Sequence, residues 1–148
     1  MFNLLDVEAK GMKGGLAFLW LRNLEVTVKS FSIHHIEDVI DDGKEYVWRF
    51  VGFYGHHVAL KRQFSWELLR HIDSLCQLPT MVIGDFNEVL KRDEHVSQRR
   101  SRPPWQMRNF NQVVKDCGMI DIGCKGYPFT CVTISFPLSL PELGQTEL

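Results

Sequence analysis

The four residues GDFN (84–87) place a carboxylate and a carboxamide two positions apart, at the end of the apolar run TMVI. Asp85 could serve as a general base or a metal ligand, and the Asn87 amide could orient a water or an oxyanion beside it. The pair works together only if both side chains leave the chain on one side. A spacing of two gives this in an extended segment, with Phe86 turned the other way into a core. Gly84 would let the backbone bend sharply as it leaves a sheet. The same residues also fit a plain Asx turn, because Asp and Asn close turns with their own side chains and no catalysis is needed.

A second constellation is GFYGHH (52–57). The phenol of Tyr54 could hydrogen-bond a phosphate or a developing oxyanion, and His56 or His57 could titrate near neutrality. The plain alternative is a tyrosine at the edge of a core beside solvent-facing histidines. Histidine pairs occur twice, at His34-His35 and His56-His57. Adjacent strand residues face opposite sides, so each pair offers one ligand to a common centre unless the strand bends. Structural or solvent-facing roles are therefore expected. Cys117, Cys124 and Cys131 are seven apart and Cys76 lies far upstream. No C-x2-C pair exists, so structural or incidental thiols in a reducing compartment are expected rather than a zinc site.

These residues need elements to hold them. LAFLW (16–20), VTVKSFS (26–32), HHIEDVI (34–40), EYVWRFVGFY (45–54) and TMVIG (80–84) read as strands. DDGK (41–44) supplies an Asp-Gly hairpin signal between the third and fourth. Tyr46, Trp48, Phe50, Gly52 and Tyr54 share one face of the fourth strand and Val47, Val51 and Phe53 the other, which predicts burial on both sides. A helix is predicted over 60–76, with Phe64, Leu68, Leu69, Ile72 and Leu75 or Cys76 on its apolar face and Lys61, Arg62, Glu67, Arg70 and Asp73 on the other. Pro79 stops it. A second helix should start near Pro103 and Pro104, bury Met107, Phe110, Val113, Val114 and Cys117, and end at Gly118. MIDIG (119–123) and YPFTCVTIS (127–135) read as short strands around a turn at CKGYP. Amphipathic helices between buried strands imply a layered α/β domain.

The chain has 148 residues, 45% hydrophobic and 24% charged, with a net charge of -1. That suits one domain, read as 1–135, followed by an irregular tail over 136–148. Near-neutral charge argues against nucleic-acid binding by bulk electrostatics and leaves room for a local basic patch. No run approaches the roughly 18 apolar residues of a membrane span. MFNLLDVEAK lacks the pattern of a secretory signal, so an intracellular protein, nuclear or cytoplasmic, is expected.

Taken in order, GGLAFLW, HHIEDVI, WRFVGFYGHH, SWELLRHIDSL, PTMVIGDFNEVL, WQMRNFNQVVKDCGMIDIG and GYPFTC resemble blocks of the endonuclease/exonuclease/phosphatase superfamily. The resemblance is strongest to the endonuclease domain encoded by plant non-LTR (LINE-type) retrotransposons, and it runs from about residue 6 to residue 131. Its most specific block is GFYG plus GDFN with an amphipathic helix between. The resemblance implies a DNase I-like four-layer α/β sandwich and Mg2+-dependent cleavage of phosphodiester bonds in DNA. It implies that Tyr54 lies near the scissile phosphate, that Asp85 aligns or activates the attacking water, and that Asn87 holds the phosphate or orients Asp85.

The departures from that pattern shape the expectation. The family begins with a strand bearing an Asn and a second strand bearing a metal-binding Glu, and this sequence starts after both; Glu8 lies past that Glu and does not take its role. No His lies beyond His95 to supply the closing Asp-His pair. Cys131 stands where a Trp is usual, and His57 where a proline follows YGH. The expectation is an incomplete, catalytically inactive domain, since Asp85 alone makes a poor Mg2+ site. Absent strands would also leave sheet edges unpaired. One alternative is a retained nucleic-acid-binding module in which His56, Arg99, Arg100 and Arg102 meet backbone phosphates with salt-dependent affinity; against it stands a simple solvated loop. Another is an element-derived reading frame without selected function.

Overall fold

The computed structural model describes residues 1–8, 15–91 and 103–122, and these hold six strands and two α-helices. β1 (Phe2–Val7) and β2 (Leu16–Leu21) form an antiparallel pair. β3 (Glu25–Ser32), β4 (His35–Asp41), β5 (Val47–Tyr54) and β6 (Thr80–Asp85) form a four-stranded sheet in that spatial order. The first three run antiparallel, and β6 lies parallel to β5. A parallel neighbour cannot be reached by a tight turn. Here the crossover is a short 3-10 turn (Ala59–Lys61) and α1 (Arg62–Ser74). α2 (Pro104–Asp116) follows β6.

Residue chemistry accounts for most boundaries. At the β4–β5 hairpin Gly43 has φ 71, and Asp42 Oδ1 accepts from the backbone N–H groups of Lys44 and Tyr46. α2 opens with Pro104 in its first turn, where no N–H is required. It closes in a Schellman motif. Gly118 has φ 60, its N–H donates to the Lys115 carbonyl, and the Met119 N–H donates to the Val114 carbonyl.

Each face of the central sheet packs against a different layer. Val51, Phe53 and Val82 meet the helices, and with Trp66, Leu69, Ile72, Phe110 and Val113 they form the main core. An aromatic column runs through it: Phe53 stacks on Phe86, Phe86 meets Phe110, and Phe110 stacks on Trp66. On the other face Phe50 stacks on Phe18 of β2, with ring centroids 4.5 Å apart. Helices, four-stranded sheet and two-stranded sheet are thus three layers. The outward face of the two-stranded sheet presents Phe2, Leu4, Leu19 and Leu21 to solvent. No helix among the described residues is long and apolar enough to cross a membrane.

Of the seven expected strands, the five from LAFLW to TMVIG form, and β1, which alternates only between exposed and half-buried residues, is a strand that the sequence pattern does not assign. The phase of α1 differs from expectation. Phe64 and Leu75 are exposed, while Arg62, Ser65, Trp66, Leu69 and Ile72 are buried. The inward stripe begins at Arg62 because Ala59–Lys61 is a 3-10 turn, leaving Leu60 outside the helix. Arg49 breaks the apolar pattern of β5. Fully buried, it donates to Thr80 Oγ1, to the Ile72 carbonyl at 2.6 Å and to Glu37 Oε1 at 3.3 Å. Ile120 is a lone bridge residue in the expected MIDIG strand. The CKGYP turn with Cys124, YPFTCVTIS with Cys131, and the tail over 136–148 lie outside the described residues.

Candidate functional site

Parallel pairing brings the two constellations together. Because β5 and β6 run the same way, their carboxyl ends share one edge of the sheet, where Tyr54 and Asp85 are register partners. Ligands of open α/β sheets bind beyond that edge. The chain leaving each strand is then tied to the other. The Gly55 N–H donates to the Asp85 carbonyl at 2.7 Å, and Asn87 Nδ2 donates to the Gly55 carbonyl at 2.8 Å. Gly55 is required there, since a Cβ would run into the Phe86 backbone. Gly84 is required for a similar reason: a Cβ would overlap the Phe53 carbonyl. Its role is close strand approach, not the bend expected from sequence.

The turn reading holds. Asp85 Oδ1 accepts from the Asn87 N–H at 2.8 Å, which is an Asx turn. Asn87 sits at φ 55, so the segment does not stay extended, and the Asn87 amide is directed to the Gly55 carbonyl. Phe86 is buried as expected. Asp85 is exposed, and neither its Oδ2 nor the half-buried Tyr54 hydroxyl has a hydrogen-bond partner among the described residues. A hydroxyl donor and a carboxylate acceptor therefore stand uncommitted at one strand-end edge.

Histidines flank this edge. His34 Nδ1–H donates to the Tyr54 carbonyl at 2.9 Å, and the Tyr54 N–H donates to the His34 carbonyl. The His34 ring stacks against Tyr54 and, with centroids 5.6 Å apart, against His56. His56 stacks in turn on His57 at 5.1 Å, because these two lie in the loop after β5 and not on opposite sides of a strand. The other pair does face opposite ways. His35 is buried, bonded to the hydroxyls of Ser30 and Ser32, and burial pulls its pKa below the usual histidine value.

Beneath the edge lies an ion pair that the hydrophobic pattern could not reveal. Arg62 NH1 donates to Glu88 Oε2 at 2.6 Å, with the Glu88 side chain fully enclosed. Arg62 also donates to the carbonyls of His56 and His57 and to Gln106 Oε1. One guanidinium thus clamps the Tyr54 loop, the segment after Asp85 and α2. A charged residue at the start of an amphipathic helix reads as solvent-facing, so only the fold exposes this role. Of the expected site residues, Tyr54, Asp85, Asn87 and His56 converge. Arg99, Arg100 and Arg102 lie outside the described residues.

The Mg2+ implied by the family resemblance can be tested against the donor set. Mg2+ takes oxygen ligands in octahedral geometry, commonly with one or two carboxylates. Asp85 offers one carboxylate, already bonded to its own turn, and Glu88 is bound to Arg62. Among the described residues no group of three or more His, Cys, Asp or Glu side chains is disposed to hold a metal. The described residues do not by themselves make that site.

No protein-family model matches the chain, and no curated protein is significantly similar to it. Among solved structures it is similar to the endonuclease domain of TRAS1, a telomere-specific non-LTR retrotransposon. The TM-score is 0.67 at 12% sequence identity, covering 91% of this chain. The chain spans 66% of that domain's length. At this identity the likeness establishes the fold: a two-sheet α/β architecture of the DNase I-like endonuclease kind.

Proposed function

We propose that the chain is a nuclease-like domain of retrotransposon origin whose strand-end edge receives a phosphodiester of DNA, and that on its own it does not cleave. The observation carrying this reading is the register pairing of Tyr54 with Asp85, locked by Asn87 on Gly55. The free phenol can donate to a phosphate oxygen, and the free carboxylate oxygen can accept from a water aimed at phosphorus. Hydrolysis also needs neutralisation of the phosphorane and a leaving-group partner. One turn-bound carboxylate supplies neither.

A plasmid-nicking assay with Mg2+ tests the reading. The expected result is no cleavage above background. Robust nicking by the purified chain, abolished by Asp85→Ala, would overturn the inactive assignment.

Nucleic-acid binding without catalysis is the second reading, favoured by the stacked His34, His56 and His57 beside Tyr54. Imidazole N–H groups there could donate to backbone phosphate oxygens. Filter binding at two salt concentrations checks it, with salt-sensitive retention expected and none the contrary result.

A further inference from the structure

We infer that the chain carries a second site: a recess between the starts of α1 and α2 that holds one unpaired or extruded nucleobase, stacked on Trp105 and read by the amides of Gln63 and Asn109. The inference rests on the reading of the neighbouring edge as one that faces nucleic acid.

The recess has a volume of about 120 Å³. That is somewhat less than the ~150 Å³ cavity that accommodates a benzene ring, so the recess takes the inner part of a single planar ring, with the rest of the ring toward solvent. Its floor is built and electrically closed. Trp66 is buried there against Phe110, and the Arg62–Glu88 pair lies beside it. Neither charge calls for a counter-ion, which disfavours a metal or a bare phosphate and suits a neutral heterocycle.

The walls, in contrast, are uncommitted. Trp105 is 43% exposed, yet its ring stacks on no other ring and its indole N–H has no partner among the described residues. Gln63 and Asn109 are exposed, and neither side-chain amide is hydrogen-bonded among the described residues. A carboxamide sets a donor and an acceptor side by side, the pattern by which Asn and Gln match a base edge. An indole is a plate on which any base can stack. One free aromatic plate and two free amides around a ring-sized space is the chemistry of base recognition.

Position supports the same ligand. Arg62 at the floor donates to the carbonyls of His56 and His57, and Glu88 follows Asp85 by three residues. The recess therefore hangs on the framework that sets the Tyr54–Asp85 edge. A strand with a phosphate at that edge could place a neighbouring base in the recess.

Two measurements on the whole chain test this. The first compares a short labelled single strand with the same strand made abasic, by fluorescence anisotropy. The base-bearing strand should bind roughly 5- to 150-fold tighter, the range expected of one base–aromatic stack. Trp105→Ala should abolish most of that ratio, Trp105→Phe should keep most of it, and Tyr54→Phe should weaken both strands while leaving the ratio. Equal affinity for the two strands, or a ratio unchanged in Trp105→Ala, would overturn the inference.

The second titrates cytidine monophosphate against ribose 5-phosphate, followed by tryptophan fluorescence. Quenching by the nucleotide alone, lost in Trp105→Ala, supports the recess even where no strand binds, in which case the edge reading fails and the recess stands. Equal responses to both ligands would refute the recess and leave the edge reading to the nicking and filter assays. Trp105 lies on the surface, so a thermal melt matching the wild type would show that the variants fold.

Discussion

Asn87 joins a backbone cost to a side-chain bond. A left-handed conformation costs a residue with a Cβ about 1–2 kcal/mol, with Asn among the better tolerated. The amide bond to the Gly55 carbonyl offsets that cost. Asn87→Ala loses the bond and keeps the strain, so it should lower stability by about 2 kcal/mol, while Asn87→Gly should lose less. Urea midpoints check the order, and equal midpoints would show that the bond contributes nothing. Asp38 is a different case. Its side chain is wholly buried, both carboxyl oxygens lack partners among the described residues, and burial with Glu37 nearby raises its pKa from 3.8 to about 6. The folded state thus holds this proton more tightly than the unfolded chain. Its cost to stability is full above pH 6 and is relieved as pH falls toward 3.8. Asp38→Asn should therefore stabilise the fold at pH 7.5 by on the order of 2 kcal/mol and flatten stability between pH 7.5 and 5. A melting temperature that does not rise at pH 7.5 would refute this. The sequence showed that Asp85 and Asn87 could act together, because spacing is local. It could not show the φ of Asn87 or the isolation of Asp38, because both depend on what lies across the fold.

At the scale of elements, two buried arginines fasten parts that hydrophobic contact alone would leave loosely aligned. Arg49 joins β4, β5, β6 and the end of α1, and Arg62 joins the β5 loop, the Glu88 segment and α2. Removing one partner of a buried ion pair costs about 3–5 kcal/mol. Arg62→Ala should fall near the low end of that range, because Arg62 retains some solvent contact. Arg62→Met with Glu88→Leu should recover most of the loss, as apolar replacements of buried pairs often do. Thermal denaturation of the single and double variants checks this, and a double variant no better than Arg62→Ala would show that the guanidinium acts through the loop carbonyls instead. Strands were legible from β-branched runs and the Asp-Gly hairpin, since these signals are carried by neighbours in sequence. Helix phase was less so. Phe64 looked like core and Arg62 like surface, because apolar periodicity assigns a face by residue type, and here the inward position holds a charge bonded to Glu88, Gln106 and two loop carbonyls.

At the scale of the molecule, the parallel β5–β6 contact turns two separate motifs into one edge, and it was implied in sequence only by strand, helix and strand in succession. The two-stranded sheet is held by β2 against the central sheet, with Phe18 on Phe50 as its main aromatic contact. Its other face leaves Phe2, Leu4, Leu19 and Leu21 each 46% to 63% exposed. Cross-strand pairing sets Phe2 opposite Leu21 and Leu4 opposite Leu19, so the four side chains form one patch. Such patches drive association. The chain should scatter light increasingly with concentration, and Leu4→Lys with Leu19→Lys should suppress this without lowering the melting temperature; unchanged scattering would place the contact elsewhere. The same face bears on the life of the molecule in a cell. A layer of side chains that resembles the inside of a protein is what chaperones and proteases recognise as unfinished folding. The abundance of this chain would then depend less on how well its strand-end edge is built than on how long that sheet stays uncovered.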